Sequence, residues 1–364
     1  MSLPSTDRSD LPPAWEVIEG IGVRWPIPPF RARRVATENR RSVRERPVAE
    51  RQVDAVVELE WDGWTERFAV EYKSSGTPLQ VDGAILQLRR FLVATPSTRP
   101  LVVAPFLKNE LLDRLVSEGV SGIDLCGNMA ITVPGRWLVV RSGAPNRFPA
   151  SGTIKNVYRG RSSLIARALM LRGSYPSATA IANELGASDG VTLPTVSKVL
   201  ASLEDELIVT RAAGIRVVQP DRLLDNLLAN YRPPVARRSV RGKVSRTPAL
   251  IERLRENADG AGIAYAVDAP ERYTVLPSSD PVQRIYTRSI DALLRDVPVD
   301  AASRFPDVEV VETDDAAVFY RRVWGDGTFW MSPLQVYLQL ATGGKREQQA
   351  ALPIRADLLA FKYQ

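Results

Sequence analysis

The stretch DAVVELEWDGWTERFAVEYKSS, Asp54 to Ser75, decides how the first part of this chain is read. Asp62-Gly63 lies between two alternating runs, the pattern of a two-residue hairpin whose turn needs residues tolerant of positive φ. With Trp61 facing Trp64, Val57 stands opposite Phe68 and Ala55 opposite Val70, which makes one apolar face. The other face pairs Glu60 with Thr65, Glu58 with Arg67, Val56 with Ala69 and Asp54 with Glu71. Lys73 projects from that same face, because side chains alternate along a strand. Directly opposed Cβ atoms lie about 4.5–5.5 Å apart, where two carboxylates repel. Asp54 and Glu71 therefore call for a cation, and a hard divalent ion such as magnesium takes oxygen ligands of this kind.

The order Asp54, hairpin, Glu71-x-Lys73 resembles the PD-(D/E)XK, or restriction-endonuclease-like, nuclease superfamily. That resemblance implies an α/β domain over about residues 1–150, with Asp54 and Glu71 as metal ligands for Mg²⁺ or Mn²⁺. It also implies that Lys73 orients or polarises the attacking water, and that the chemistry is metal-assisted phosphodiester hydrolysis. VDGAILQLRRFL (81–92) reads as the next helix, presenting Gln87, and RPLVVAP (99–105) as a buried strand. The segment 31–53 departs from the pattern. It is rich in arginine and reads as irregular, so the strand expected before Asp54 is missing and only Glu38 and Glu50 stand as candidate helical acids.

Composition narrows the chemistry. The 364-residue chain has no histidine and one cysteine, Cys126. Histidine-based triads, imidazole-ligated metals and an internal disulfide framework are thereby excluded. Catalysis, if any, falls to carboxylates, lysine, tyrosine or a carboxylate-bound metal. No apolar run approaches the ~20 residues of a membrane span, and the N-terminus lacks the layout of a secretion signal, so a cytoplasmic protein is expected. The net charge of +6 is modest for this length, but arginines cluster at 31–51 and 232–246, which suits a polyanionic partner.

KNELLDRLVSEGV (108–120) is an amphipathic helix, and SGIDLCGNMAITVPGRWLVVRSG (121–143) reads as short strands turning at Gly127-Asn128 and Pro134-Gly135. Beyond a boundary near residue 150, three helical stretches precede a turn at Gly214 between short extended pieces. The second helix is capped by Ser177 and stopped at Gly186; the third is capped by Thr192, with Pro194 in its first turn. Helix, helix, helix and a two-stranded wing over 160–231 resemble a winged helix-turn-helix. Its third helix would offer Thr192, Thr195, Ser197 and Lys198 to the major groove of double-stranded DNA, with Arg211 and Arg216 reaching phosphates from the wing. PDRLLDNLLANY (220–231) adds a helix capped by Asp221. The stretch 232–248 reads as a flexible or extended basic linker whose Arg237, Arg238 and Arg241 add salt-sensitive DNA affinity. The remainder, 249–364, reads as an α+β domain with helices at 249–258 and 332–344 and strands at VEVVET (308–313) and AVFYRRVW (317–324).

Taken with IANELG…TVSKVLASLEDELIV, YAVDAPERY and SPLQVYLQLATGGKREQQAA, this order resembles the long bacterial proteins grouped with AbiEi-type antitoxins of type IV toxin–antitoxin systems. The resemblance implies a DNA-binding transcriptional regulator and a nucleotidyltransferase-like toxin as partner. Two functions compete: such a regulator, or a metal-dependent DNA endonuclease targeted by its winged helix.

Overall fold

The Asp62-Gly63 turn forms with both residues at positive φ, 53° and 76°. The strands that it joins, β2 (Ala55–Trp61) and β3 (Trp64–Tyr72), pair antiparallel in the expected register, Val57 to Phe68 and Glu58 to Arg67. The computed structural model describes residues 14–22, 27–35, 53–148, 156–244, 250, 252, 254–256, 264–275 and 282–360. Within them the chain is mixed α and β and divides after Thr153 into two compact units. No helix among the described residues is long and apolar enough to cross a membrane.

In the first unit the strands lie side by side in chain order. β1 (Arg31–Arg34) pairs antiparallel with β2, Arg33 opposite Glu58. This corrects the reading of 31–53 as irregular throughout: a strand does precede Asp54. It sits at the sheet edge, where charged side chains guard the open backbone, and Arg33 donates to the Glu58 carboxylate. Glu38 and Glu50 lie outside the described residues. β4 (Arg99–Ala104) and β5 (Ser121–Asp124) continue the sheet parallel to β3, reached through α2 (Pro78–Ala94) and α3 (Asn109–Ser117). β6 (Met129–Val133) and β7 (Trp137–Arg141) close it as a hairpin.

The two faces bury different partners. Val57, Phe68, Val70 and Leu101 pack with Val17 and Ile18 of α1 (Ala14–Gly20). Ala69 and Val102 pack beneath Val81 and Leu88 of α2 and Leu112 and Leu115 of α3. Alternation puts Asp54, Glu71 and Lys73 on this second, helix-covered face.

The second unit starts with α4 (Ser162–Arg172), β8 (Ser174–Tyr175), α5 (Ala178–Asp189), α6 (Leu193–Asp205), β9 (Val209–Thr210), β10 (Ile215–Val217) and α7 (Pro220–Asn230). β8, β10 and β9 make a small antiparallel sheet in that order. Ser177 caps α5 as expected, its hydroxyl accepting from Ala180 N–H at 3.2 Å. The helix runs past Gly186, however, and stops at Gly190, which adopts the left-handed conformation. At α7 the capping position is Gln219, and Asp221 lies in the first turn without capping it.

The basic segment departs further from expectation. The expected linker contains β11 (Arg238–Val244), which pairs with β14 (Val299–Asp300) on one side and β15 (Val308–Glu312) on the other. Val240, Gly242 and Val244 alternate with Arg241 and Lys243, a strand pattern hidden beneath the charge. At Gly242 a Cβ would stand 2.6 Å from the Asp300 carbonyl oxygen, so the β11–β14 approach needs glycine. The sheet runs β14-β11-β15-β13-β12-β17-β16, with β12 (Tyr265–Asp268), β13 (Gln283–Thr287), β16 (Val323–Gly325) and β17 (Thr328–Trp330). AVFYRRVW is not one strand: Asp315 caps a helical turn (Ala316–Phe319) by accepting from Ala317 N–H at 3.0 Å, and only β16 is extended.

Segments 160–231 and 249–364 also do not form separate cores. Leu164, Leu169, Val199 and Leu203 belong to one cluster with Met331, with Leu334 and Leu338 of α8 (Pro333–Ala341) and with Ile354 and Leu358 of α9 (Lys345–Ala360). That core encloses Arg167 of α4, whose guanidinium Nη1 donates to Gln335 Oε1 at 2.9 Å while Nε finds no partner. Gln335 in turn donates from Nε2 to the Tyr231 hydroxyl at 3.0 Å. Burial lowers the Arg167 pKa.

Candidate functional site

Asp54 stands one residue before β2 and extends the hairpin by two bonds. Its N–H donates to the Val70 carbonyl at 3.0 Å, and its Oδ2 accepts from Tyr72 N–H at 2.8 Å. Glu71, next to it on the same face, is 5 % exposed. Its Oε1 accepts from Lys73 Nζ at 2.9 Å, and the same ammonium donates to Gln87 Oε1 on α2. Lys73 N–H continues the parallel ladder to the Val103 carbonyl at 2.9 Å. Asp54, Glu71, Lys73 and Gln87 thus converge where β3 and β4 end, the carboxyl-end edge at which open α/β sheets bind ligands. Gly76 closes this edge, because a Cβ there would stand 1.9 Å from the Phe106 carbonyl oxygen.

Burial pushes the Glu71 carboxyl above the ordinary carboxylate range; the hydrogen bond from Lys73 opposes the rise and the Asp54 charge adds to it. The carboxylate is therefore costly when ionised, as expected for an anion short of positive charge. The donor set fits a divalent ion. Asp54 and Glu71 supply only oxygen, and magnesium is commonly held by one or two carboxylates with water and phosphate completing its shell. Among the described residues no three acidic, cysteine or histidine side chains gather into a metal-binding group. Glu58 shares the face but is taken by Arg33 and Arg67, whose hydrogen bonds hold its carboxyl below the usual range. The α1 helix packs on the opposite face of the sheet.

Asp124 is an acid that spacing did not single out. Its Oδ1 accepts the N–H groups of Cys126, Gly127 and Asn128, each at 2.8 Å, and its Oδ2 accepts from Leu107 N–H at 3.1 Å and Asn128 Nδ2 at 2.6 Å. The legible signal was Asp-x-x-Gly-Asn, a side-chain-to-backbone turn. With both oxygens engaged, this carboxylate fixes the ends of β4 and β5.

In the second unit, α6 buries Val196, Val199, Leu200 and Leu203 and exposes Ser197 and Lys198, with Thr192 exposed just before it. Thr195 is half-buried, its hydroxyl 3.0 Å from that of Thr192. Lys198 and Arg216, the latter exposed on β10, form no ion pair among the described residues. Arg211 is occupied, donating from Nε to Glu204 at 2.7 Å. Two arginines of the basic segment are held by acids of their own unit. Arg237 binds Asp314 at 2.9 Å, Arg238 binds Asp291 with Glu312 at 4.0 Å, and Arg241 stands opposite Glu309.

Glu184 on α5 ties this helical half to the rest of its unit. It accepts from Tyr175 and Tyr320 hydroxyls at 3.0 and 2.8 Å and from Arg321 Nη2 at 2.8 Å. Burial pushes its carboxyl up, but these bonds outweigh that effect and leave it below the ordinary value. No protein-family model, no curated protein and no solved structure matches the chain.

Proposed function

We propose that this chain binds double-stranded DNA as a transcriptional regulator of the antitoxin kind, with α6 as the recognition helix of a winged helix-turn-helix. The observation that carries this reading is the exposed start of α6, a helix whose other face is fully buried, together with Lys198 on that helix and Arg216 on β10, which form no ion pair among the described residues. An α-helix fits the major groove, and hydroxyl and ammonium groups at its N-terminal half suit base edges and phosphates. In EDTA, fluorescence anisotropy against the chain's own promoter fragment should give binding. Thr195→Ala with Lys198→Ala should weaken it by roughly 1–3 kcal/mol for each base whose edge is no longer read. An unchanged affinity removes α6 from the interface. The antitoxin reading also expects a nucleotidyltransferase-like toxin encoded beside this gene.

A second reading, a restriction-endonuclease-like domain acting as a metal-dependent DNA endonuclease, is favoured by a specific observation. Lys73 is held between Glu71 and Gln87 while Asp54 abuts the same corner. The order α1, β1, β2, β3, α2, β4, now with its lead-in strand, supports it as well. Asp54 and Glu71 would hold Mg²⁺ or Mn²⁺, which supplies charge against the phosphate and lowers the pKa of a bound water. Lys73, a donor only while protonated, would hydrogen-bond that water or a phosphate oxygen, and Gln87 fixes where its ammonium points. Plasmid DNA incubated with magnesium, manganese or EDTA separates the readings. Metal-dependent nicking abolished by Lys73→Ala supports the endonuclease; binding without nicking supports the regulator.

A further inference from the structure

The second unit contains an open cavity of about 760 Å³, bordered by Tyr231, Asp268, Glu271, Tyr286, Gln339 and Glu347 among others. That volume is typical of small-molecule sites. Its polar groups are predominantly acceptors. The Asp268 carboxylate, at the end of β12, accepts no hydrogen bond from any described residue, and burial pushes it up to about 6 against the pull of Arg284, with Glu271 adding to the rise. Arg284 lies on the wall but its guanidinium is bound to Glu309 at 2.9 Å. Gln339 donates from Nε2 to the Tyr286 hydroxyl at 3.2 Å, and its Oε1 is buried without a partner. The Tyr231 hydroxyl already accepts from Gln335. Three carboxylates therefore border the space beside two tyrosine rings; Glu347 accepts from Gly344 N–H at 2.6 Å, and the one cation on the wall, Arg284, is bound to Glu309.

We propose that this cavity binds a small organic cation of the ammonium or guanidinium class, with its charge against Asp268 and its stem along Tyr231 and Tyr286. A carboxylate accepts charge-assisted bonds from such a group, and tyrosine faces attract it further. The proposal does not depend on DNA binding or on the metal site, since its test contains neither DNA nor metal.

Isothermal titration of the full chain with agmatine and with spermidine, beside uncharged n-butylurea, measures it. At least one of the two amines should bind with submillimolar affinity, and n-butylurea should give no binding heat. Asp268→Asn should weaken the amine at least tenfold while leaving the melting temperature near that of the parent. Should that variant fail to fold, Glu271→Gln on the exposed neighbouring turn should weaken it severalfold. Affinity should fall as pH drops through about 6 and Asp268 takes up a proton; the other groups facing it are Glu271, Arg284 with Glu309, Tyr286, Tyr231 and Glu347. Absence of heat with both amines, equal binding of n-butylurea, or amine affinity untouched by Asp268→Asn and Glu271→Gln would overturn the proposal.

Discussion

Glu71 of the first unit and Arg167 of the second are both buried charges, and the two are handled in opposite ways. Arg167 sits in mid-helix, sealed inside a core, where one guanidinium N–H donates to the neutral amide of Gln335 and Nε has no partner. Glu71 sits at the end of a parallel strand, beside a second carboxylate, and among the described residues Lys73 is the one cation bonded to it. A charge sealed in a core and bonded to an amide is an element of architecture. A charge left short of counter-charge at an open strand edge is a candidate binding site. Location in the fold, more than depth of burial, separates the two roles.

The sharpest way to break this comparison is Gln335→Leu. It strips Arg167 of its acceptor and should cost about 3 kcal/mol or more, read as a lower denaturant midpoint. Arg167→Met, which removes the charge altogether, should cost much less. Equal losses would mean that the guanidinium is solvated in a way its surroundings do not suggest. The next effect belongs to Glu71. Magnesium or manganese at about a hundredfold excess over its Kd should stabilise the first unit by about 2.7 kcal/mol, and Asp54→Asn or Glu71→Gln should erase that rise in melting temperature. A melting curve indifferent to both metals would leave the acidic corner without its proposed ligand.

A smaller effect tests the cost of the ionised Glu71 itself. Its folded pKa is raised, so its contribution to stability is fully present below the unfolded value and is lost as pH rises through the folded one. In EDTA near pH 8, Glu71→Gln should therefore stabilise the protein by about 1 kcal/mol, and the gain should vanish on acidification. A destabilised variant at every pH would show the Lys73 bond to outweigh burial. The smallest change is expected at the paired arginines. Lys198→Ala and Arg216→Ala should flatten the salt dependence of DNA binding by about 0.9 for each phosphate no longer neutralised. Arg237→Ala and Arg238→Ala, whose guanidinium groups are already bound to Asp314 and Asp291, should leave that slope where it was.

Much of the acidic corner was legible in the sequence, because a two-residue turn and a period of two fix which side chains share a face. Asp62-Gly63 set the register, and the register put Asp54, Glu71 and Lys73 together. Gln87 followed from the next helix. β1 was not legible: Arg31–Arg34 offers one apolar residue, Ala32, and an edge strand needs no more. β11 was hidden for a different reason, since its alternation of Val240, Gly242 and Val244 is carried beneath arginine and lysine on the opposite face. The merged core of the second unit depends on packing between α4 and α8, far apart in the chain, and no local pattern encodes such pairings.

That β11 is completed by β15 has a consequence for how the protein comes into being. The strand at 238–244 leaves the ribosome well before its partner at 308–312, and the helices that finish the shared core come later still. At roughly 5–20 residues per second, the interval is on the order of ten seconds. During it the helices at 162–230 exist without the neighbours that bury them, so a nascent chain would complete the core behind α6 only once residues 308–360 have been made. An early stop codon beyond residue 250 would yield a chain that retains all of α6 and yet lacks the core that holds it.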